Sequence, residues 1–224
     1  MQREDEAMHK QIEKTLKLLP RKKELTVVDV GSYIGQVAEY LLHKLPKSTV
    51  YCVEPCPINF THLIGWLKNK RAKFFNCAIS NKTGSQNFYV ASKPGRMGSS
   101  QSNSLYEEAI KRKDWAKDYK TIGVKTWTMD DFVEMAGLKH IDLIKLNCEG
   151  GEYKIFESTT CDWLKITDRI FIEFHIKTDE WKSDLFRKKR AAIYKTLENA
   201  EFKIRLGNKD LDGNSYIIQL WEKI

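Results

Sequence analysis

The sequence Thr26-Val-Val-Asp-Val-Gly-Ser-Tyr-Ile-Gly35 decides the fold, together with Val50-Tyr-Cys-Val-Glu-Pro55, which follows it along the chain. The β-branched run from Thr26 to Val30 is typical of a buried parallel strand. Gly31 then stands where the backbone must turn and where a side chain would obstruct a ligand. The pattern therefore predicts a strand, a glycine turn, a helix and a second strand.

An acidic residue ends the second strand of this unit. Glu54 lies 23 residues after Gly31, close to the spacing of about 20 at which a carboxylate reaches the hydroxyls of a ribose. Tyr33 occupies the position where a dinucleotide motif needs its second glycine, and its ring would obstruct a diphosphate. The G-x-x-x-G spacing after Asp29 instead favours S-adenosyl-L-methionine, a smaller cofactor with a cation and an amino acid tail. The alternative is an ordinary turn between a strand and a helix.

Strands and helices alternate along the rest of the chain. Strands are predicted at 26–30, 49–54, 73–77, 142–147, 169–174, 202–206 and 215–221, and helices at 35–45, 57–69, 129–136, 151–157 and 184–199. Such alternation predicts an α/β fold whose parallel sheet has helices on both faces. The turn-rich link before the last strand predicts an antiparallel hairpin, which makes the sheet mixed.

An amphipathic helix is predicted within residues 1–23. Its apolar residues recur at helical spacing, and they are Met8, Ile12, Leu16 and Leu19. We expect this helix to pack on the core and residues 24–224 to form a single domain. A chain of 224 residues with 42% hydrophobic content is long enough for one α/β core.

A polar insertion rich in glycine and serine interrupts the alternation between the third and fourth core strands. It occupies residues 91–120 and is too long for an ordinary connection. Candidate extra strands at 87–90 and 121–128 flank it and would bring its two ends together. We interpret the insertion as a cover over an acceptor pocket; the alternative is a surface loop without a role.

The segment Ile141-Asp-Leu-Ile-Lys-Leu-Asn-Cys-Glu-Gly-Gly-Glu152 resembles the signature of the FkbM family of S-adenosyl-L-methionine-dependent methyltransferases, which is close to D-L-I-K-I-D-x-E-G-x-E. Other stretches resemble the remaining family motifs in the expected order, at 27–35, 53–55, 76–84, 124–131 and 169–175. The resemblance covers residues 24–176 and implies a class I methyltransferase fold, with a seven-stranded mixed sheet of the Rossmann-like type.

The resemblance also implies a set of cofactor-binding residues. The loop residues Asp29, Gly31, Ser32, Tyr33 and Gly35 would hold the methionine end, Glu54 the ribose, and Ala78 with Ile79 the adenine. The family has an aspartate where this chain has Asn147, which removes a charge from the site. An asparagine can still hydrogen-bond the amino acid tail of the cofactor, but it cannot serve as a base or metal ligand, and no metal site is predicted.

Proton removal from a hydroxyl acceptor requires a base. The candidates at the carboxyl ends of the central strands are Glu149, Glu152, Glu173 and His175, because ligands bind in that crevice. We predict His175 and Glu149 as catalytic residues, since an imidazole with an ordinary pKa near ~6.5 suits a general base. The alternatives are a structural histidine and a glutamate that caps the following helix, the role favoured for Glu152.

The predicted function is O-methylation of a hydroxyl on a small molecule, sugar or polyketide-like acceptor. A net charge of +8 and the basic stretch Arg187-Lys-Lys-Arg190 leave an RNA 2′-O-methyltransferase as the alternative. Against it, 30 acidic residues are interleaved with the basic ones. A second alternative is a protein that binds the cofactor without catalysis, which Asn147 alone supports.

Composition sets the compartment that we expect. The five cysteines are odd in number and lack C-x-x-C spacing, which predicts reduced thiols rather than disulfides or a zinc site. The chain starts without a signal-type apolar run and has no stretch of ~18 apolar residues. We therefore expect a cytoplasmic protein without a membrane span.

Overall fold

The structure, a computed structural model, describes residues 10–20, 24–91, 102–111, 119–175, 184–207 and 216–224. Met8 and most of the predicted insertion lie outside these residues. The strands are β1 (Leu25–Val30), β2 (Ser48–Val53), β3 (Ala72–Phe75), β4 (Ala78–Ile79), β5 (Gly84–Ala91), β6 (Tyr119–Trp127), β7 (Leu143–Leu146), β8 (Arg169–His175), β9 (Phe202–Leu206) and β10 (Tyr216–Lys223). The helices are α1 (10–16), α2 (Gln36–Lys44), α3 (Pro57–Trp66), α4 (Glu107–Lys111), α5 (Met129–Met135), α6 (Gly151–Phe156) and α7 (Asp184–Asn199).

Seven strands form the main sheet, in the order β3-β2-β1-β7-β8-β10-β9. The first five of these strands run parallel, and β10 is antiparallel to both β8 and β9. The predicted mixed seven-stranded sheet and the terminal hairpin are therefore confirmed.

Both faces of the sheet are covered, as its continuously apolar strands require. In β1, Val27 faces one core cluster and its neighbours Val28 and Val30 face the other, because side chains alternate along a strand. The first cluster includes residues of α1 and α2, among them Ile12, Leu16, Val37 and Leu41. The second includes residues of α5, α6 and α7, among them Phe132, Ile155 and Ile193.

The two segments predicted as extra strands form a small second sheet. β5 and β6 pair antiparallel, and their last and first residues, Ala91 and Tyr119, are direct partners. β4 completes this sheet by pairing parallel with β6. The two ends of the insertion therefore meet, and between them Ser104 bridges to Tyr89.

One strand ends earlier than its sequence pattern predicts. The side-chain nitrogen of Asn76 donates hydrogen bonds to the backbone carbonyl oxygens of Glu54 (2.9 Å) and Pro55 (3.2 Å). These bonds end β3 at Phe75 rather than at residue 77. The chain then leaves the main sheet for β4, which brings Ala78 and Ile79 beside the end of β2.

Two expectations from composition can be compared with the structure. All five cysteines are free thiols, and Cys52, Cys56 and Cys77 are buried. Among the described residues, no helix has the length and apolar character needed to cross a membrane.

Candidate functional site

The glycine turn after β1 lies against the end of β7. Gly31 has a φ of 79°, and a Cβ built on it would lie 1.9 Å from the carbonyl oxygen of Asn147. The backbone N–H groups of Gly31 and Ser32 donate to the carbonyl of Val53, at 3.0 and 3.1 Å. Only glycine fits here, and the turn is held between the ends of β7 and β2.

The second glycine of the motif opens α2. Gly35 has a φ of 95° and is the N-cap of the helix, and its backbone N–H donates to the carbonyl of Ser32 at 2.8 Å. A Cβ at this position would approach Leu63 Cδ1 to 2.6 Å. The helix N-terminus, with its exposed N–H groups, therefore lies directly after the turn, where negative groups of a ligand are stabilised.

Glu54 ties this turn to the start of α3. One of its carboxylate oxygens accepts from the backbone N–H of Tyr33 at 2.9 Å. The other accepts from the backbone N–H of Cys56 (2.9 Å) and from the side-chain amide of Asn59 (3.3 Å). Burial raises the pKa of Glu54 to about 7, although these donors favour its charged form. Tyr33 is held in a left-handed conformation with φ 53°.

A buried ion pair supports the turn from within the sheet. Lys145 Nζ lies 2.9 Å from Asp29 Oδ1 and donates to the carbonyl oxygen of Gly31 at 2.9 Å. Burial alone would lower the pKa of Lys145, but the charge of Asp29, its hydrogen bond to the ammonium and smaller contributions from neighbouring groups together outweigh burial, and the pKa is raised. Asp29 is fully buried, so its side chain acts on the site through Lys145 and the turn. Sequence reasoning missed Lys145, although it is the one charge in the apolar strand Leu143–Leu146.

Four side chains converge at the carboxyl ends of β7 and β8, and we call them the carboxyl-edge cluster: Glu149, Glu152, Glu173 and His175. His175 Nδ1 lies 3.2 Å from Glu152 Oε1, and Nε2 lies 3.6 Å from Glu149 Oε1 and 3.9 Å from Glu173 Oε1. Glu152 also accepts hydrogen bonds from the backbone N–H groups of Cys148 and Gly150. It therefore fixes the backbone turn that precedes α6 and orients the ring of His175.

The charges in this cluster decide its chemistry. Burial alone would lower the pKa of His175, but Glu149 and Glu152 raise it to about 10. Burial also raises the pKa of Glu173, and the charge of His175 only partly opposes it. Three carboxylates surround one histidine ring. The cluster can hold a cation and exchange a proton at Nε2 of His175.

Asn147 completes this edge of the sheet. Its side-chain amide donates to Glu173 Oε2 at 2.8 Å, and its backbone N–H donates to the carbonyl of Val30 at 3.2 Å. An aspartate at this position would place two carboxylates in direct contact. The structure thus brings Asn147 together with both the glycine turn and the carboxyl-edge cluster.

The insertion contacts the same edge through two residues that sequence reasoning missed. Ser104 Oγ donates to the carbonyl oxygen of Glu149 at 2.8 Å and accepts from the backbone N–H of Tyr106 at 3.0 Å. A Cβ on Gly150 would lie 3.5 Å from Tyr106 Cδ2. No motif marks Ser104 or Tyr106, because their importance comes from contacts between segments distant in sequence.

The two residues predicted to flank an adenine lie beside the end of β2. Ala78 is buried with Cys56 and Phe88, and Ile79 is buried in the cluster that includes Val53. Their side chains are therefore already packed within the protein. Their contact with an adenine stays a prediction.

A second group of histidine and carboxylates lies at the amino ends of the same strands, and we call it the amino-edge cluster: His140, Asp142 and Asp168. His140 Nε2 lies 3.5 Å from Asp142 Oδ1 and 3.2 Å from Asp168 Oδ2. Its nitrogen and oxygen atoms are close enough to share a metal ion. Asp142 also accepts from the backbone N–H of Thr26 at 2.8 Å, which joins the starts of β7 and β1.

The carboxyl edge suits S-adenosyl-L-methionine on two observations. The glycine turn lies directly before the N-terminus of α2, where the N–H groups of a helix favour a negative group such as the carboxylate of an amino acid tail. The neighbouring cluster places three carboxylates around one histidine, which suits a cofactor carrying a sulfonium and an ammonium group. That the turn and Asn147 hold the methionine end, and that Glu54 binds the ribose, stay predictions.

Comparison with known proteins gives this chain a family. A model described as the Methyltransferase FkbM domain matches residues 29–204, which confirms the resemblance seen in the sequence. The 2-O-methyltransferase NoeI of Sinorhizobium fredii is 28% identical over 151 residues, covering 65% of this chain and 60% of NoeI. Methyltransferase sdnD of Sordaria araneosa is 24% identical over 168 residues, covering 66% of this chain and 65% of sdnD. The chain spans less than two thirds of the length of either relative.

Solved structures show the same fold. An rRNA methylase from Streptococcus thermophilus aligns with a TM-score of 0.54 at 11% identity, covering 97% of this chain and 96% of that chain. At this identity the likeness concerns the fold alone. The predicted class I methyltransferase fold is confirmed.

Proposed function

The chain belongs to the FkbM family of methyltransferases, whose cofactor is S-adenosyl-L-methionine, and from that premise we propose that it methylates a hydroxyl oxygen. The proposed acceptor is a small molecule, a sugar or a polyketide-like compound. When bound, the cofactor supplies an electrophilic methyl group. The protein must then align the acceptor, exclude water and accept the hydroxyl proton.

The observation that carries this proposal is the histidine held among three carboxylates beside the glycine turn. Glu152 fixes the ring through Nδ1, which leaves Nε2 directed toward Glu149 and Glu173. We assign Nε2 of His175 as the atom that receives the hydroxyl proton. Glu149 is the positioning partner that stabilises the imidazolium once it forms.

The raised pKa of His175 places a condition on this role. With a pKa of about 10 the ring carries its proton at neutral pH in the cofactor-free protein. It must release that proton before it can accept another. A positive charge beside Glu149 and Glu173 would lower the pKa, because it offsets the carboxylates that hold the proton. The rate of transfer should therefore rise with pH through the neutral and alkaline range.

Two basic side chains of α7 argue against an RNA acceptor. The likeness to the rRNA methylase is one of fold alone and does not favour RNA. In the basic stretch of α7, Lys189 pairs with Glu157 at 2.7 Å. Arg190 is 8% exposed and lies over the ring of Tyr194. These two charges therefore interact with other side chains of the protein rather than being available to bind phosphates.

The proposal is tested by incubating the protein with methyl-labelled S-adenosyl-L-methionine and matched acceptors that carry or lack a free hydroxyl. We expect label on oxygen in the hydroxyl acceptors, with His175→Gln inactive and His140→Gln active. Calorimetric titration with S-adenosylhomocysteine checks cofactor binding separately. Binding without transfer to any hydroxyl acceptor would support the non-catalytic alternative. Transfer only to RNA, with affinity that falls steeply with salt, would support the RNA alternative.

A further inference from the structure

A group of basic and aromatic side chains lies directly beside the carboxyl-edge cluster. Tyr106, from the insertion, packs against the Gly150 turn next to Glu149. Lys154 Nζ lies 4.8 Å from the centre of the Tyr106 ring, and Lys189 Nζ lies 5.8 Å from it. Two positive charges therefore face the ring of Tyr106 at the edge of the proposed acceptor site.

Lys154 differs from Lys189 in how its charge is balanced. Lys189 has Glu157 at 2.7 Å. Among the residues that the structure describes, Lys154 makes no ion pair within 4.0 Å, and its polar contact is the amide oxygen of Gln86 at 3.5 Å. It is only partly exposed. Burial lowers the pKa of Lys154, the charges of Lys189 and Lys82 lower it further, and Glu157 and Glu108 oppose them.

The hydroxyl of Tyr106 is also available as a donor. Its oxygen is buried and has no hydrogen-bond partner within the described part of the chain. Burial raises the pKa of Tyr106, followed by the charges of Glu157 and Glu152, so the phenol stays protonated. A buried donor without a partner costs free energy that a bound acceptor group would recover.

We propose that Lys154 and Tyr106 form a subsite for an oxyanion on the methyl acceptor, either a phosphate or a carboxylate. This inference rests on the proposed function, because the subsite selects which hydroxyl compound reaches His175. An ammonium and a phenol supply the charge-assisted and neutral donors that an oxyanion needs. The acceptor is accordingly a small acidic or phosphorylated compound rather than a neutral one.

The test is calorimetric titration of the protein, saturated with S-adenosylhomocysteine, with glucose 6-phosphate, glucuronate and glucose. We expect at least one of the two anions to bind and glucose not to bind, and the stronger anion identifies the preferred oxyanion. Lys154→Met should weaken that binding at least about tenfold, and Tyr106→Phe by less. Glucose binding as tightly as both anions would overturn the proposal.

Lys125 provides a matched control. It lies on β6 of the small sheet, with its Nζ 4.5 Å from the centre of the Trp127 ring, so it repeats the lysine-over-ring arrangement away from Tyr106. Lys125→Met should leave anion binding unchanged, and equal losses in both variants would overturn the subsite. S-adenosylhomocysteine affinity shows that Lys154→Met is folded. A wild-type protein that does not bind S-adenosylhomocysteine would instead refute the proposed function. If Lys154→Met weakens the binding of a short RNA but of neither small anion, the proposal of a small acidic acceptor is overturned.

Discussion

The two histidine–carboxylate clusters lie at opposite ends of β7 and β8, and each places one histidine among carboxylates. In the amino-edge cluster, the side chains of His140 and Asp168 are 44% and 40% exposed. In the carboxyl-edge cluster, His175 is 21% exposed and Glu152 is fully buried. Both histidines lie within 4 Å of carboxylates. The two clusters differ in the strand end at which they lie and in how deeply their side chains are buried.

This difference shows that a residue pattern becomes a site through its surroundings. Exposed ion pairs are screened by water and contribute little, whereas buried carboxylates shift the pKa of a partner by several units. The carboxyl ends of parallel strands also carry the glycine turn and the following helix N-termini, where ligands bind in α/β sheets. At the amino ends, the hydrogen bond from the backbone N–H of Thr26 to Asp142 joins the starts of two strands.

The largest expected difference between the clusters is in turnover. His175→Gln should lower methyl transfer about 10²–10⁴-fold, because it removes the group that receives the hydroxyl proton. His140→Gln should leave the rate unchanged. Steady-state transfer of labelled methyl measures both, with S-adenosylhomocysteine titration as the check on cofactor affinity. Equal rates in the two variants would remove His175 from the mechanism.

The glycine turn offers the next contrast. Gly31→Ala should destabilise the cofactor-competent turn by about 2–4 kcal/mol, because it combines a strained φ with a clash against backbone. Gly137, ahead of the amino-edge cluster, is the control, since its φ is 67° but nothing lies within 4 Å of an added Cβ. Gly137→Ala should therefore cost only the strain of its φ, about 1–2 kcal/mol, and should not weaken cofactor affinity. Calorimetry and thermal unfolding together separate these outcomes.

The free energy of unfolding should depend on pH because of the raised pKa of His175. Glu149 and Glu152 raise its pKa to about 10 against an ordinary 6.5, so the folded protein keeps a proton that the unfolded chain releases. That stability is fully present below pH 6.5 and is lost as the pH rises through 10. Chemical denaturation across this window should show a decline in wild type that is much reduced in His175→Gln. A decline of the same size in both proteins would mean that His175 is not its source.

The smallest expected change comes from restoring the charge that Asn147 lacks. Asn147→Asp replaces the amide that donates to Glu173 with a second carboxylate in contact with it. We expect the cofactor-free protein to lose about 1 kcal/mol at pH 8 and less at pH 5, where a shared proton relieves the repulsion. A cationic cofactor should then stabilise the variant more than wild type. Thermal unfolding with and without S-adenosyl-L-methionine measures both effects.

The backbone around the proposed cofactor site was predictable, because its geometry depends on residues that are close together in the sequence. The turn at Gly31 and the helix start at Gly35 each follow from a glycine where a Cβ has no room. Most strands of the main sheet lie close to their apolar runs, but β10 ends two residues later than predicted, at Lys223, and β3 ends earlier, where the Asn76 side chain bonds the distant Glu54 and Pro55. Such side-chain bonds across the chain leave no periodic signal.

The residues around the proposed acceptor site were only partly predictable. The extra strands at β5 and β6 were visible as alternating segments, but Ser104 and Tyr106 became site residues only through contacts with Glu149 and Gly150. Sequence also predicted His175 from its strand end without predicting its charge. The pKa depends on three carboxylates arriving from β7, α6 and β8 together, which is a property of the assembled sheet.

The most direct test of the central claim is the pH dependence of methyl transfer to a hydroxyl acceptor, compared between the wild type, His175→Gln and His140→Gln. We expect label on oxygen and a rate that rises with pH as His175 loses its proton. The same pH profile is expected in His140→Gln, and its loss in His175→Gln. An unchanged pH profile in His175→Gln, or label on nitrogen or carbon, would contradict the assignment of the carboxyl-edge cluster as the site of O-methylation.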